Sequence, residues 1–123
     1  MVKQNNNFSP CFFELKSILK KYGKYLRVIV DENGNYSLNA GFDEKRKSNI
    51  YFCGAVINKN YVSFHLMPVY MDPGLLDNIS PDLKKRMQGK SCFNFINVDE
   101  SLFKELSILT RKGFEYYKKN GML

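Results

Sequence analysis

Residues 50–70 read IYFCGAVI (50–57), NKN (58–60) and YVSFHLMPVY (61–70), and the way the two outer runs face each other decides the fold. Both runs are β-branched and aromatic, and the polar Asn58-Lys59-Asn60 between them gives the pattern of an antiparallel hairpin. A three-residue connection sets Ile57 against Tyr61, Val56 against Val62, Gly54 against Phe64 and Phe52 against Leu66. Every position in that set is apolar or glycine. The other set pairs Ala55 with Ser63, Cys53 with His65 and Tyr51 with Met67. Because side chains alternate across a strand, Val56, Gly54, Phe52 and their partners are expected to look toward the helices, and Ile57, Tyr61 and the second set away from them.

Upstream, RVIV (27–30) and YSLNAG (36–41) flank Asp31-Glu32-Asn33-Gly34-Asn35, and Asn-Gly between apolar runs predicts a tight hairpin. A charged turn, DEKRKSN (43–49), joins the two hairpins. Downstream, SCFNFINV (91–98) reads as a fifth strand with Phe93 and Phe95 on the core side and Cys92, Asn94 and Ile96 on the other.

Helices close both ends. Ser9-Pro10 reads as a cap followed by proline, opening a helix with Phe12, Leu15, Leu19, Tyr22 and Leu26 on one face and Lys16, Lys20 and Lys24 on the other. Asp72-Pro73-Gly74 and Ser80-Pro81-Asp82 open two short helices, LLDNI and DLKKRMQ. Asp99 caps a long final helix, where Leu102, Phe103, Leu106, Leu109, Gly113, Phe114 and Tyr117 recur at helical spacing. The expected architecture is a single α+β domain over 8–123, with a mostly antiparallel five-stranded sheet and the terminal helices on one face. Residues 1–7 read as a disordered tail.

With 123 residues, 44% of them hydrophobic, the chain has room for one core and not for two domains. The net charge of +7 sits at the two ends and in the DEKRKSN turn, mostly on outer helix faces, the pattern of a solvated basic surface. No apolar run approaches 18 residues and MVKQNNNFSP lacks a signal-type core, so a cytoplasmic protein away from membranes is expected. Cys11, Cys53 and Cys92 are odd in number and form no CxxC, which suits reduced thiols.

The chemistry available is narrow. His65 is the only histidine, which excludes sites needing two imidazoles. Its expected neighbour Cys53, joined by Cys92, offers a thiol or soft-metal site. The carboxylates read as helix caps (Asp72, Asp82, Asp99), turn residues (Asp31, Glu32, Asp43, Glu44) or members of a lysine-rich outer helix face (Glu105, Glu115). No pair of them stands isolated in an apolar run, so the expectation is a protein that is not an enzyme. Gln88-Gly89-Lys90-Ser91 lacks the second glycine of a phosphate loop and reads as a helix end leading into a strand. Tyr51 and Tyr61 would suit base stacking, but Lys and Arg are almost missing from the strands, so nucleic-acid binding through the basic helices ranks last.

The non-core sheet face carries the functional expectation. Tyr51, Cys53, Tyr61, Ser63, His65, Met67, Cys92 and Asn94 are the candidate ligand-binding residues, because a solvated face would alternate Lys, Glu and Thr. Such a face is expected to be covered by a small molecule, a protein partner or a second copy in a homodimer. The residues name no cofactor and no metal.

From Asn49 to Tyr117, the runs NIYFCGAVINKNYVSFHLMPVY and LLDNISPDLKKRMQGKSCFNFINVDESLFKELSILTRKGFEYY resemble the YdhG-like domains of unknown function, small bacterial proteins. The shared pattern is a strand, an NKNYVSFH-like hairpin return, a GK-containing loop, an aromatic strand and a final helix opened by acidic residues. The resemblance implies an α+β fold. Some members are described as frataxin-like iron chaperones, which implies weak iron binding by surface carboxylates and delivery to an assembly partner. A frataxin-type acidic ridge lies on the first helix. Here that helix holds Glu14 alone among Lys16, Lys20, Lys21 and Lys24, a balance that repels cations.

Overall fold

The computed structural model describes residues 7–123. Helix α1 spans Phe8–Lys20 and turns its apolar stripe inward, burying Phe8, Cys11, Phe12, Leu15, Ile18 and Leu19. It begins earlier than Ser9-Pro10 suggested, with Asn7 in the cap position and Ser9 inside the first turn. Asn7 is tied down by its amide Nδ2, which donates to Asn97 Oδ1 at 2.6 Å. The rest of the expected tail, residues 1–6, lies outside the described residues.

Strands β1 (Arg27–Glu32) and β2 (Asn35–Asp43) form the Asn33-Gly34 hairpin, with Glu32 opposite Asn35. Gly34 sits at φ +83, the left-handed conformation that such a turn needs and that glycine takes without strain. Strand β3 (Ser48–Ile57) pairs with β2, and β4 (Val62–Leu66) with β3.

Beyond β4 the chain turns helical: α2 covers Met67–Met71, a 3-10 turn Pro73–Leu76, and α3 Pro81–Lys84. The run YVSFHLMPVY is therefore strand only through Leu66, because Pro68 enters the first turn of α2, where its missing N–H has no partner to lose. Strand β5 (Met87–Gln88) and β6 (Cys92–Phe95) follow, and α4 (Glu100–Lys119) closes the chain. Ser80 and Asp99 cap their helices as expected, accepting from Leu83 N and Leu102 N.

All pairings are antiparallel, in the order β1-β2-β3-β4-β6-β5. The sheet has six strands where five were expected. The extra one is Met87–Gln88, since helix α3 stops at Lys84 and releases MQ to pair with β6. Gly89, at φ +75, then belongs to a strand-to-strand turn and not to a helix end.

Helices α1 and α4 cover one face, and Phe52, Phe64, Phe93, Phe95 and Leu66 lie buried between sheet and helices. Phe52 meets the Tyr22, Phe114 and Tyr117 rings at centroid distances of 5.7, 6.1 and 5.5 Å. The short elements α2, α3 and the 3-10 turn pack on α4 and leave the other face open. The approach of α2 is close enough that a Cβ on Gly113 would come within 2.9 Å of the Pro68 ring.

The decisive hairpin differs from its expected register by one residue. Ile57 faces Val62, Val56 faces Ser63, Ala55 faces Phe64, Gly54 faces His65 and Cys53 faces Leu66. The connection holds four residues, closed by Asn58 N–H donating to Tyr61 O at 2.8 Å. A one-residue slip should reverse every side chain of β3. It does so for Cys53 and Ala55, which join the core. Phe52 stays in the core because the β2–β3 register shifts there: Leu38 faces Cys53, and Asn39 faces Tyr51. That bulge absorbs one residue and turns Tyr51 outward.

Candidate functional site

The open face is crossed by a row of direct register partners, Ser37, Gly54, His65, Cys92 and Gln88, one from each of β2, β3, β4, β6 and β5. Beside it runs a second row, Asn35, Val56, Ser63 and Asn94. From β2 to β5 neither row contains a Lys, Arg, Asp or Glu; on β1 the first row continues to Val30 and the second to the exposed Glu32.

Gly54 is small for a reason. A Cβ there would collide with the Tyr51 hydroxyl and come within 2.9 Å of Ser37 Oγ, so the phenol ring lies across the glycine. The ring reaches His65, with centroids 5.2 Å apart and planes inclined by 46°. From the helix side, Tyr117 donates its hydroxyl to Tyr51 O at 2.6 Å and fixes the backbone that carries the ring.

Burial sets the charge state of these groups. It pushes the Tyr51 phenol up, reinforced by nearby Cys53 and Cys92 and countered by a hydrogen bond from Ser37. It pulls His65 down from 6.5, so the imidazole is neutral at pH 7. Cys53 is wholly buried and its thiol is pushed well up, again by burial, while Cys11 rises to about 12.

The structure therefore places Tyr51, Ser63, His65, Cys92 and Asn94 along the face, with Tyr61 at its β5 end, and leaves out Cys53. Paired with Leu38 and Leu66, the Cys53 side chain belongs to the core, and the thiol beside His65 is that of Cys92. Among the described residues, no three His, Cys, Asp or Glu cluster to hold a metal ion. Met67 opens α2 at one end of the face, where it shares a depression of about 690 Å³ with Tyr51, Tyr70 and Met122. Tyr61 and Asn94 line a second depression, of about 400 Å³, at the other end.

Asn94 is held by donation from Nδ2 to Gln88 Oε1 at 2.6 Å, and its buried Oδ1 has no hydrogen-bond partner among the described residues. Ser63 is 9% exposed, although it lies on the uncovered side.

Sequence reasoning missed Ser37, Gly54, Gln88 and the rim cations Lys85 and Arg86. A lone glycine inside a strand signals close approach of another group, so Gly54 was legible. Ser37 and Gln88 could not be placed without the registers of β2 and of the two-residue β5. Glu105 was also misplaced: its carboxylate is drawn off the lysine-rich face and accepts from Ser80 N at 2.5 Å and from Ser80 Oγ at 2.6 Å.

No helix is long and apolar enough to cross a membrane among the described residues. In comparisons with known protein families, curated proteins and solved structures, the chain has no significant match.

Proposed function

We propose that this domain is a non-enzymatic binding module whose open sheet face holds a small ligand. One observation carries the reading: a face that no helix covers has an uncharged centre of small and polar side chains, Ser37, Gly54, Ser63, His65, Cys92 and Asn94, with a tyrosine laid across it. A face meant only for water would alternate long charged side chains. The rows run between the depressions of about 690 and 400 Å³ at the two ends of the face, and their hydroxyl, amide and imidazole groups can orient what enters. The one carboxylate that continues these rows, Glu32 opposite Asn35, is exposed at the β1 edge, away from His65 and Cys92, which supports binding over catalysis.

The test is to expose the protein to a small-molecule extract and weigh the retained complexes by native mass spectrometry. Wild type is expected to retain a ligand that Ser63→Arg, whose side chain would fill the centre, does not. Equal retention by both proteins, or none by wild type, defeats the reading. A shift to twice the mass of the chain in the same spectra would identify a second copy as the occupant instead.

A further inference from the structure

The depression of about 400 Å³ at the β5 edge has three properties that belong together, and Tyr61, Lys85, Arg86, Asn94 and Ile96 among its lining residues supply them. The first is positive charge. Lys85 and Arg86 are exposed, and the ion pairs among the described residues are Lys16–Asp31, Arg46–Asp43 and Lys47–Glu44, none of which engages them. The two cations stand between two depressions. The one toward α4, of about 510 Å³, also contains Asp82 and Asp99, which repel an anion. The one on the open face contains no carboxylate.

The second property is apolar lining, supplied by half-buried Tyr61 and by Ile96, which is 48% exposed. The third is Asn94 Oδ1, a buried acceptor without a donor, whose orientation is held by the Nδ2 bond to Gln88. Buried polar atoms are nearly always paired, and a bound ligand can supply the missing donor.

We infer that this depression takes a nucleotide, with the base against Tyr61 and Ile96, a base N–H donating to Asn94 Oδ1, and the phosphate between Lys85 and Arg86. The inference rests on the reading of the open face as a ligand surface and names the ligand class. An aromatic wall alone accepts any apolar ring, and a cation pair alone accepts any anion. A planar N–H donor joined to a phosphate satisfies all three groups at once. A free mononucleotide and a residue of a nucleic-acid strand share this chemistry.

The full chain is titrated at low salt with AMP, adenosine, inorganic phosphate and a short oligoadenylate, following the backbone amides by NMR. AMP is expected to shift Tyr61, Lys85 and Asn94 and to bind at least tenfold more tightly than adenosine or phosphate. The double variant Lys85→Ala/Arg86→Ala should lose that tenfold advantage and keep adenosine binding. Both side chains are exposed, so folding should survive their loss. An oligoadenylate that binds tenfold more tightly than AMP identifies a strand as the source, and equal affinity identifies the free nucleotide. The inference is overturned if AMP binds no better than adenosine, if its shifts map elsewhere, or if the double variant keeps full AMP affinity. Adenosine and AMP binding equally at Tyr61 would defeat the nucleotide and leave the ligand face standing. Silence from all four probes at the face, with nothing retained from the extract, would remove both.

Discussion

Substituting Gly54→Ala tests the geometry of the open face directly, because the new methyl points into the space the Tyr51 hydroxyl occupies. Two effects oppose each other. Replacing a strand glycine lowers the entropy lost on folding, a gain of about 0.5–1 kcal/mol. Forcing a methyl against a packed ring costs about 1–3 kcal/mol. Steric conflict should win, since Ser37 Oγ at 2.9 Å and Tyr36 O at 3.1 Å limit where the methyl can settle. The net loss should be about 1 kcal/mol, or roughly 4 °C in Tm for a chain of this size. The Tyr51→Phe background isolates the cause: with the phenol oxygen gone, the nearest contact is a serine hydroxyl that can rotate. There, Gly54→Ala should be close to neutral. Urea denaturation of the wild type, the two single variants and the double variant measures the coupling, expected at about 1 kcal/mol. Equal losses from Gly54→Ala with and without the Tyr51→Phe change would refute the placement of the ring over the glycine.

Glu105→Ala removes both acceptors of Ser80 and should cost about 1.5–3 kcal/mol in chemical denaturation, and in that background Ser80→Ala should cost only the α3 cap, about 0.5–2 kcal/mol, because Ser80 Oγ also accepts from Leu83 N. His65 gives a pH signature. Because its folded pKa lies below the unfolded 6.5, the unfolded state takes the proton first, so stability should decline as pH falls through 6.5 and His65→Gln should flatten that slope. In the native protein, iodoacetamide should modify Cys92 first, leaving Cys53 and Cys11 unmodified until unfolding, as read by peptide mass.

The candidate site was legible in part. Phe64, Phe93 and His65 take the sides that alternation assigns them, and Asn94 and Cys92 follow because they flank Phe93 on a regular strand. The placement of Phe52 in the core was correct for an incomplete reason: the slip in the hairpin and the bulge at Phe52 have opposite effects on its side. Cys53 has no second shift to restore it. The pairing of a thiol with His65 therefore survives only by exchanging Cys53 for Cys92.

Local composition was enough to determine the fold class and most of the elements, though not α2 (Met67–Met71) or the two-residue β5. Asn33-Gly34 makes the turn, Ser80 and Asp99 start their helices, and the period of apolar residues separates strands from helices, because each of these effects acts over a few neighbouring residues. Only the tertiary structure decided the register of β3 against β4, the bulge at Phe52, the pairing of Met87–Gln88 and the capture of Glu105 by Ser80. A strand shifted by one residue makes as many backbone hydrogen bonds with new partners, and both faces of β3 are apolar enough to serve as the core side. What separates the alternatives is packing against α1 and α4, which lie far away along the chain.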